Sequence, residues 1–111
     1  MFELLKRGAV HVLTGSQPLT SPNVEAVRQL CLPCLEQGQP RMVFDLVDTP
    51  VIDSAGLELL LDLRDSCLKR GGALQLCGPN GLCRDILVAT GLTEEFAIFE
   101  DQSIAVGSYA R

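Results

Sequence analysis

The sequence contains no tryptophan, one tyrosine and one histidine. Proteins that stack nucleic-acid bases need aromatic platforms, and those that grip the phosphate backbone need clustered Lys and Arg. Here nine Lys and Arg are scattered among fourteen Asp and Glu, for a net charge of −5. Nucleic acid is therefore excluded as a partner, and so is a membrane surface held by a basic helix. Long hydrophobic runs are missing too. None approaches the ~20 residues that cross a bilayer, so direct membrane insertion is not expected. The opening stretch "MFELLKRGAV" places its charges after a very short apolar run, the reverse of a secretion signal. The expected location is cytoplasmic.

The parts of an active site are equally sparse. A nucleophilic Ser or Cys needs a base, and His11 is the sole histidine. No G-x-S-x-G elbow occurs, and "GPNG" lacks the Lys-Ser/Thr ending of a phosphate-binding loop. Glu94-Glu95 and Glu100-Asp101 read as solvated surface. No catalytic set and no cofactor site is expected.

What remains is a sequence that is 47% apolar, enough to build a core for a single domain over residues 1–111. Residues 2–6 and 9–14 read as two short strands around a turn at Gly8. Ser21 is expected to cap a helix that Pro22 opens. Along it Val24, Val27, Cys31, Cys34 and Leu35 follow helical spacing, with a kink or early end at Pro33. "RMVFDLV", interrupted by Asp45, reads as a central strand covered on both faces. A helix from about Ser54 to Arg70 follows, with an inner stripe of Leu57, Leu60, Leu61, Cys67 and Leu68. Asp65 and Lys69 are spaced as a surface pair on it, and Gly71-Gly72 stop it. The strand "ALQLCG", a helix in "NGLCRDILVATG", the strand "FAIFE" and a terminal helix capped by Asp101 complete the order β-β-α-β-α-β-α-β-α. This alternation predicts an α/β domain with parallel strands.

Five cysteines, at 31, 34, 67, 77 and 83, accompany no secretion signal. Cytosolic thiols stay reduced, and the first reading is small apolar core residues. Cys31-Leu32-Pro33-Cys34 has the spacing of a redox dithiol. In such enzymes the pair sits at a helix start, whereas Ser21-Pro22 begins this helix about ten residues earlier, leaving the dithiol oxidoreductase as the lesser alternative. A zinc site lacks a second close pair.

The most informative stretch is Asp53-Ser54-Ala55-Gly56, where an apolar segment becomes a helix. Asp53 or Ser54 suits the N-cap, and Gly56 suits close packing. A hydroxyl at such a place is also a position where added phosphate is favoured by the helix N-terminus and changes the surface charge by about −2.

The region from Met42 to Asp101 resembles the STAS domain, the module of bacterial anti-sigma-factor antagonists and of sulphate-transporter tails. "MVFDLVDTPVIDSAGLELLLDL" matches its strand with an interior Asp followed by (I/V)D-S-(S/T)-G-L. The Gly stop and strand in "RGGALQLCGP", the "TGL" ending of "LCRDILVATGL" and the strand in "EEFAIFED" continue the pattern. The resemblance implies a mixed β-sheet of about five strands with four α-helices and no catalytic activity. It implies an anti-sigma-factor antagonist that docks an anti-sigma-type Ser/Thr kinase through Asp53, Ser54, Ala55, Gly56 and Leu57. The resemblance further implies that phosphorylation by the kinase, with Ser54 as the candidate acceptor, releases the domain and that a phosphatase reverses the step. Two departures stand out. Ala55 occupies the usual acceptor place, leaving Ser54 as the adjacent hydroxyl. The family's "G-E-L-D" stretch is replaced by "TGSQPLT". A D-(S/T)-(A/G)-G junction also resembles the STAS subunit of an ABC-type lipid-trafficking transporter, which implies as the alternative partner an ABC ATPase bound through Ser54.

Overall fold

Alternating side chains in the central strands decide the architecture. In Arg41–Asp45 (β3), Met42 and Phe44 point to one face and Val43 and Asp45 to the other, and all four are buried. A strand buried on both faces needs a layer on each. The computed structural model, which describes residues 1–110, provides both.

Among the described residues, five strands and four α-helices follow in the expected order. Phe2–Arg7 (β1) and Val10–Gly15 (β2) form an antiparallel hairpin through Gly8, whose φ of 62° suits a residue without Cβ. Arg41–Asp45 (β3), Ala73–Cys77 (β4) and Ile98–Phe99 (β5) then add in parallel, in the order β1-β2-β3-β4-β5. The crossover helices Ser21–Leu35 (α1), Ser54–Lys69 (α2) and Gly81–Ala89 (α3) share one face. There Val27, Cys31, Leu59, Leu63 and Leu87 pack with Leu13, Met42, Phe44 and Leu76 in the main core. The last helix, Gln102–Ser108 (α4), covers the other face, where Ala105 meets Val10, Val12, Val43 and Cys77. The result is a mixed sheet in an α/β domain, as expected.

Several local expectations are corrected. Ser21 does not cap α1. The N-cap is Thr20, whose side chain makes no capping bond, and Ser21 is the first helical residue. Pro33 does not end α1, which runs on to Leu35. Its missing N–H falls in the final turn, and burial of Cys34 and Leu35 beyond it outweighs one forgone bond. In α2, Leu60 and Cys67 are buried and Leu57 and Leu61 pack partly buried against the core, as expected, but Gly56, Leu59 and Leu63 complete the buried stripe and Leu68 is exposed. A helix this rich in leucine satisfies more than one phase, and close packing at Gly56 selects this one. Asp65 lies 3.5 Å from Arg64 rather than pairing with Lys69. "FAIFE" contributes only the two residues of β5.

Candidate functional site

The junction between β3 and α2 is held from both sides. Beyond β3, the Leu46 N–H donates to the Cys77 carbonyl at 2.8 Å, and the Val47 N–H donates to Asp45 Oδ1 at 3.1 Å. Asn80, the N-cap of α3, accepts from the Cys83 N–H at 2.7 Å. Its amide donates to the carbonyls of Thr49 and Pro50, each at 3.3 Å. Thr49 is fully buried, and its hydroxyl has no partner.

On the other side the segment meets the connection between β2 and α1. Leu19 and Ile52 form a parallel bridge. The Leu19 N–H donates to the Val51 carbonyl at 2.9 Å, and the Asp53 N–H donates to the Leu19 carbonyl at 3.2 Å. A Cβ at Gly56 would collide with the Leu19 carbonyl and lie 2.9 Å from Ile52 Cγ2, so only glycine allows α2 to start so close to this loop.

Asp53 joins the two sides. Its Oδ1 accepts from the Gly56 N–H at 2.9 Å, capping α2. Its Oδ2 accepts from the Ser21 N–H at 3.0 Å, at the start of α1. One carboxylate thus satisfies a free N–H at each of two helix starts. The bond from Gly56 first, and then that from Ser21, hold its pKa below the ordinary 3.8. The expected pair of cap candidates resolves in favour of Asp53.

The predicted site residues separate by exposure. Ser54 is exposed at the first position of α2, and Ala55 beside it is partly exposed. Leu57 is partly buried against the main core, and Gly56 is buried. Gly56 therefore shapes the surface from beneath. The sequence reading missed the contribution of Leu19 and Ser21, which depends on the sheet placing β2 beside β3. The helix read in "NGLCRDILVATG" is present with Asn80 as its N-cap, but the hold of Asn80 on residues 49 and 50 was not read from the sequence.

The profile of the STAS domain family matches residues 1–105. The chain belongs to this family. No curated protein sequence matches it. A candidate anti-sigma factor antagonist from Thermotoga maritima superposes with a TM-score of 0.92 at 23% identity, covering 99% of this chain and 95% of that one. The anti-sigma factor antagonist SpoIIAA, in its unphosphorylated form, gives a TM-score of 0.86 at 19% identity over 99% and 96%. The murine anion transporter Slc26a9 gives 0.78 at 20% identity, covering 92% of this chain and 18% of that one. These likenesses establish the STAS fold. No helix among the described residues is long and apolar enough to cross a membrane.

The cysteines of this STAS domain do not form a reactive dithiol. Cys31 and Cys34 are buried late in α1, and the Cys34 thiol lies 3.2 Å from the Cys31 carbonyl. Burial, followed by the neighbouring Cys34 and Cys67, pushes the Cys31 thiol up to about 12. Burial raises Cys34 as well. A redox centre needs the opposite shift and solvent access.

Proposed function

We propose that this STAS domain is an anti-sigma-factor antagonist, a non-enzymatic cytoplasmic regulator that docks an anti-sigma-type Ser/Thr kinase on the junction of Asp53, Ser54, Ala55, Gly56 and Leu57. The observation that carries this reading is the division of labour at the junction. Asp53 turns both oxygens inward to backbone N–H groups, while the neighbouring Ser54 hydroxyl faces solvent. A partner meets a free hydroxyl on a rigid base. The kinase transfers phosphate to Ser54, the added charge of about −2 repels the partner, and a phosphatase restores binding.

The test measures kinase affinity for the wild type, Ser54→Ala and Ser54→Asp. Because Asp53 supplies the cap, Ser54→Ala should change unfolding free energy by no more than about 0.5 kcal/mol. Ser54→Asp should weaken binding by at least about tenfold, roughly 1.4 kcal/mol. Unchanged affinity of Ser54→Asp places the interface elsewhere. Ala55, which cannot accept phosphate, favours one second reading: an ABC ATPase docked through Ser54 without a phosphorylation switch. Recovery of such an ATPase in a native pull-down, in place of a kinase, overturns the first reading.

A further inference from the structure

We infer that the start of α1 is a second phosphoacceptor segment for the docked kinase, with Ser21 as its exposed hydroxyl and Thr20 beside it. This inference rests on the kinase-docking reading above. Ser21 lies 33 positions before Ser54, yet one hydrogen bond and one peptide unit separate them. The Ser21 N–H donates to Asp53 Oδ2, and Ser54 follows Asp53 directly. The approach is fixed by three further constraints: the Leu19–Ile52 bridge, the bond from the Asp53 N–H to the Leu19 carbonyl, and the absence of a Cβ at Gly56. The two serines stand in matching positions. Each is the first residue of its helix, each is exposed, and neither hydroxyl bonds to another described residue.

Other nearby hydroxyls do not qualify. Thr49 is fully buried. Ser16 receives a hydrogen bond from the Met1 amino group and lies outside the bonded seam of residues 19–21. Thr20 is partly exposed, its side chain makes no capping bond, and it belongs to the same segment. Ala55 removes one acceptor from the α2 side of the seam, and the α1 side supplies hydroxyls in its place. In the transfer, a base of the kinase takes the hydroxyl proton and the serine oxygen bonds to the γ-phosphorus of ATP. The bond from that phosphorus to the β–γ bridging oxygen breaks, and ADP leaves. Phosphate at both helix starts would flank the Asp53 carboxylate with two further anions, each adding about −2.

The test treats the full chain with each anti-sigma Ser/Thr kinase of the source organism and Mg-ATP. Binding is measured by calorimetry and phosphate is mapped by tandem mass spectrometry. The wild type, Ser54→Ala and a Thr20→Val/Ser21→Ala double variant are compared. The changes leave the Ser21 N–H and Asp53 in place, and circular dichroism confirms folding. The expected result is phosphate on residue 20 or 21 in the wild type, retained in Ser54→Ala and lost in the double variant. A kinase that binds but phosphorylates only Ser54, or nothing, overturns the second acceptor and leaves docking intact. If no kinase binds, the docking reading fails and this inference fails with it.

Discussion

Asp53 is the residue on which the junction turns, and its two bonds make opposite demands on any replacement. Asparagine keeps one acceptor oxygen but presents an amide where the second N–H arrives, so Asp53→Asn should lower the melting temperature, and Asp53→Ala should lower it further. The pH dependence has a definite sign. The folded pKa lies below the ordinary 3.8, so the contribution is complete above that value and is lost as pH falls through the lower folded value. Melting scans below about pH 4 should fall less steeply for Asp53→Asn than for the wild type. Gly56→Ala sets two effects against each other. Alanine gains about 1 kcal/mol of helix propensity, but its Cβ meets the Leu19 carbonyl and Ile52, and overpacking costs about 1–3 kcal/mol. Urea unfolding should show net destabilisation, and a stabilised variant would contradict the close approach described. Thr49→Val removes a buried, unpartnered hydroxyl at nearly constant volume. It should raise stability by about 1 kcal/mol in the same assay. The capping role of the junction was legible in four letters of sequence. The bond from Ser21 was not, because it spans 32 positions and exists only after β2 and β3 pair.

The element scale shows where periodicity suffices and where it does not. Every strand and α-helix was legible in type and order, since turn residues and apolar spacing agree along the chain; the short 3-10 turn Leu92–Glu94 was not. The phase of α2 was not. Leu57, Leu59, Leu60, Leu61 and Leu63 cover roughly half the circumference of that part of the helix, and contact with Leu19 and Ile52 at Gly56 shows which edge of that arc lies deepest. The same limit applies to Pro33, where local sterics lost to burial of Cys34 and Leu35. The seven residues of α4 are too few for a helix stable by itself. It is held to the sheet by Gln102, which donates to Asp45 Oδ2 at 2.9 Å; the Ser108 hydroxyl lies 2.7 Å from both Gln75 Oε1 and the Ala105 carbonyl and donates to one at a time. The Tyr109 hydroxyl, just beyond it, lies 2.8 Å from the Met42 carbonyl and 2.9 Å from the Ala73 carbonyl, and donates to one at a time. Tyr109→Phe should cost about 1 kcal/mol. It should also raise amide exchange in α4 ahead of the crossover helices. Uniform exchange across all four helices would show that α4 is not separately anchored.

For the whole molecule, the two cores have different consequences. The larger lies under α1, α2 and α3, and the smaller under α4. All five cysteines are free and buried. Thiol-reactive dye should therefore label the native protein slowly and all five sites rapidly in denaturant, and fast labelling of Cys31 or Cys34 in the native state would contradict their burial. The strand order has a further consequence, for synthesis. The sheet runs β1-β2-β3-β4-β5, so spatial order and the order of emergence from a ribosome coincide. Each new strand meets a template already made. No gap is left for a later segment to invade, and the main chain never has to wait for a distant partner before extending the sheet. The last helix, α4, covers the second face of the sheet, and it arrives when the strands of that face are complete.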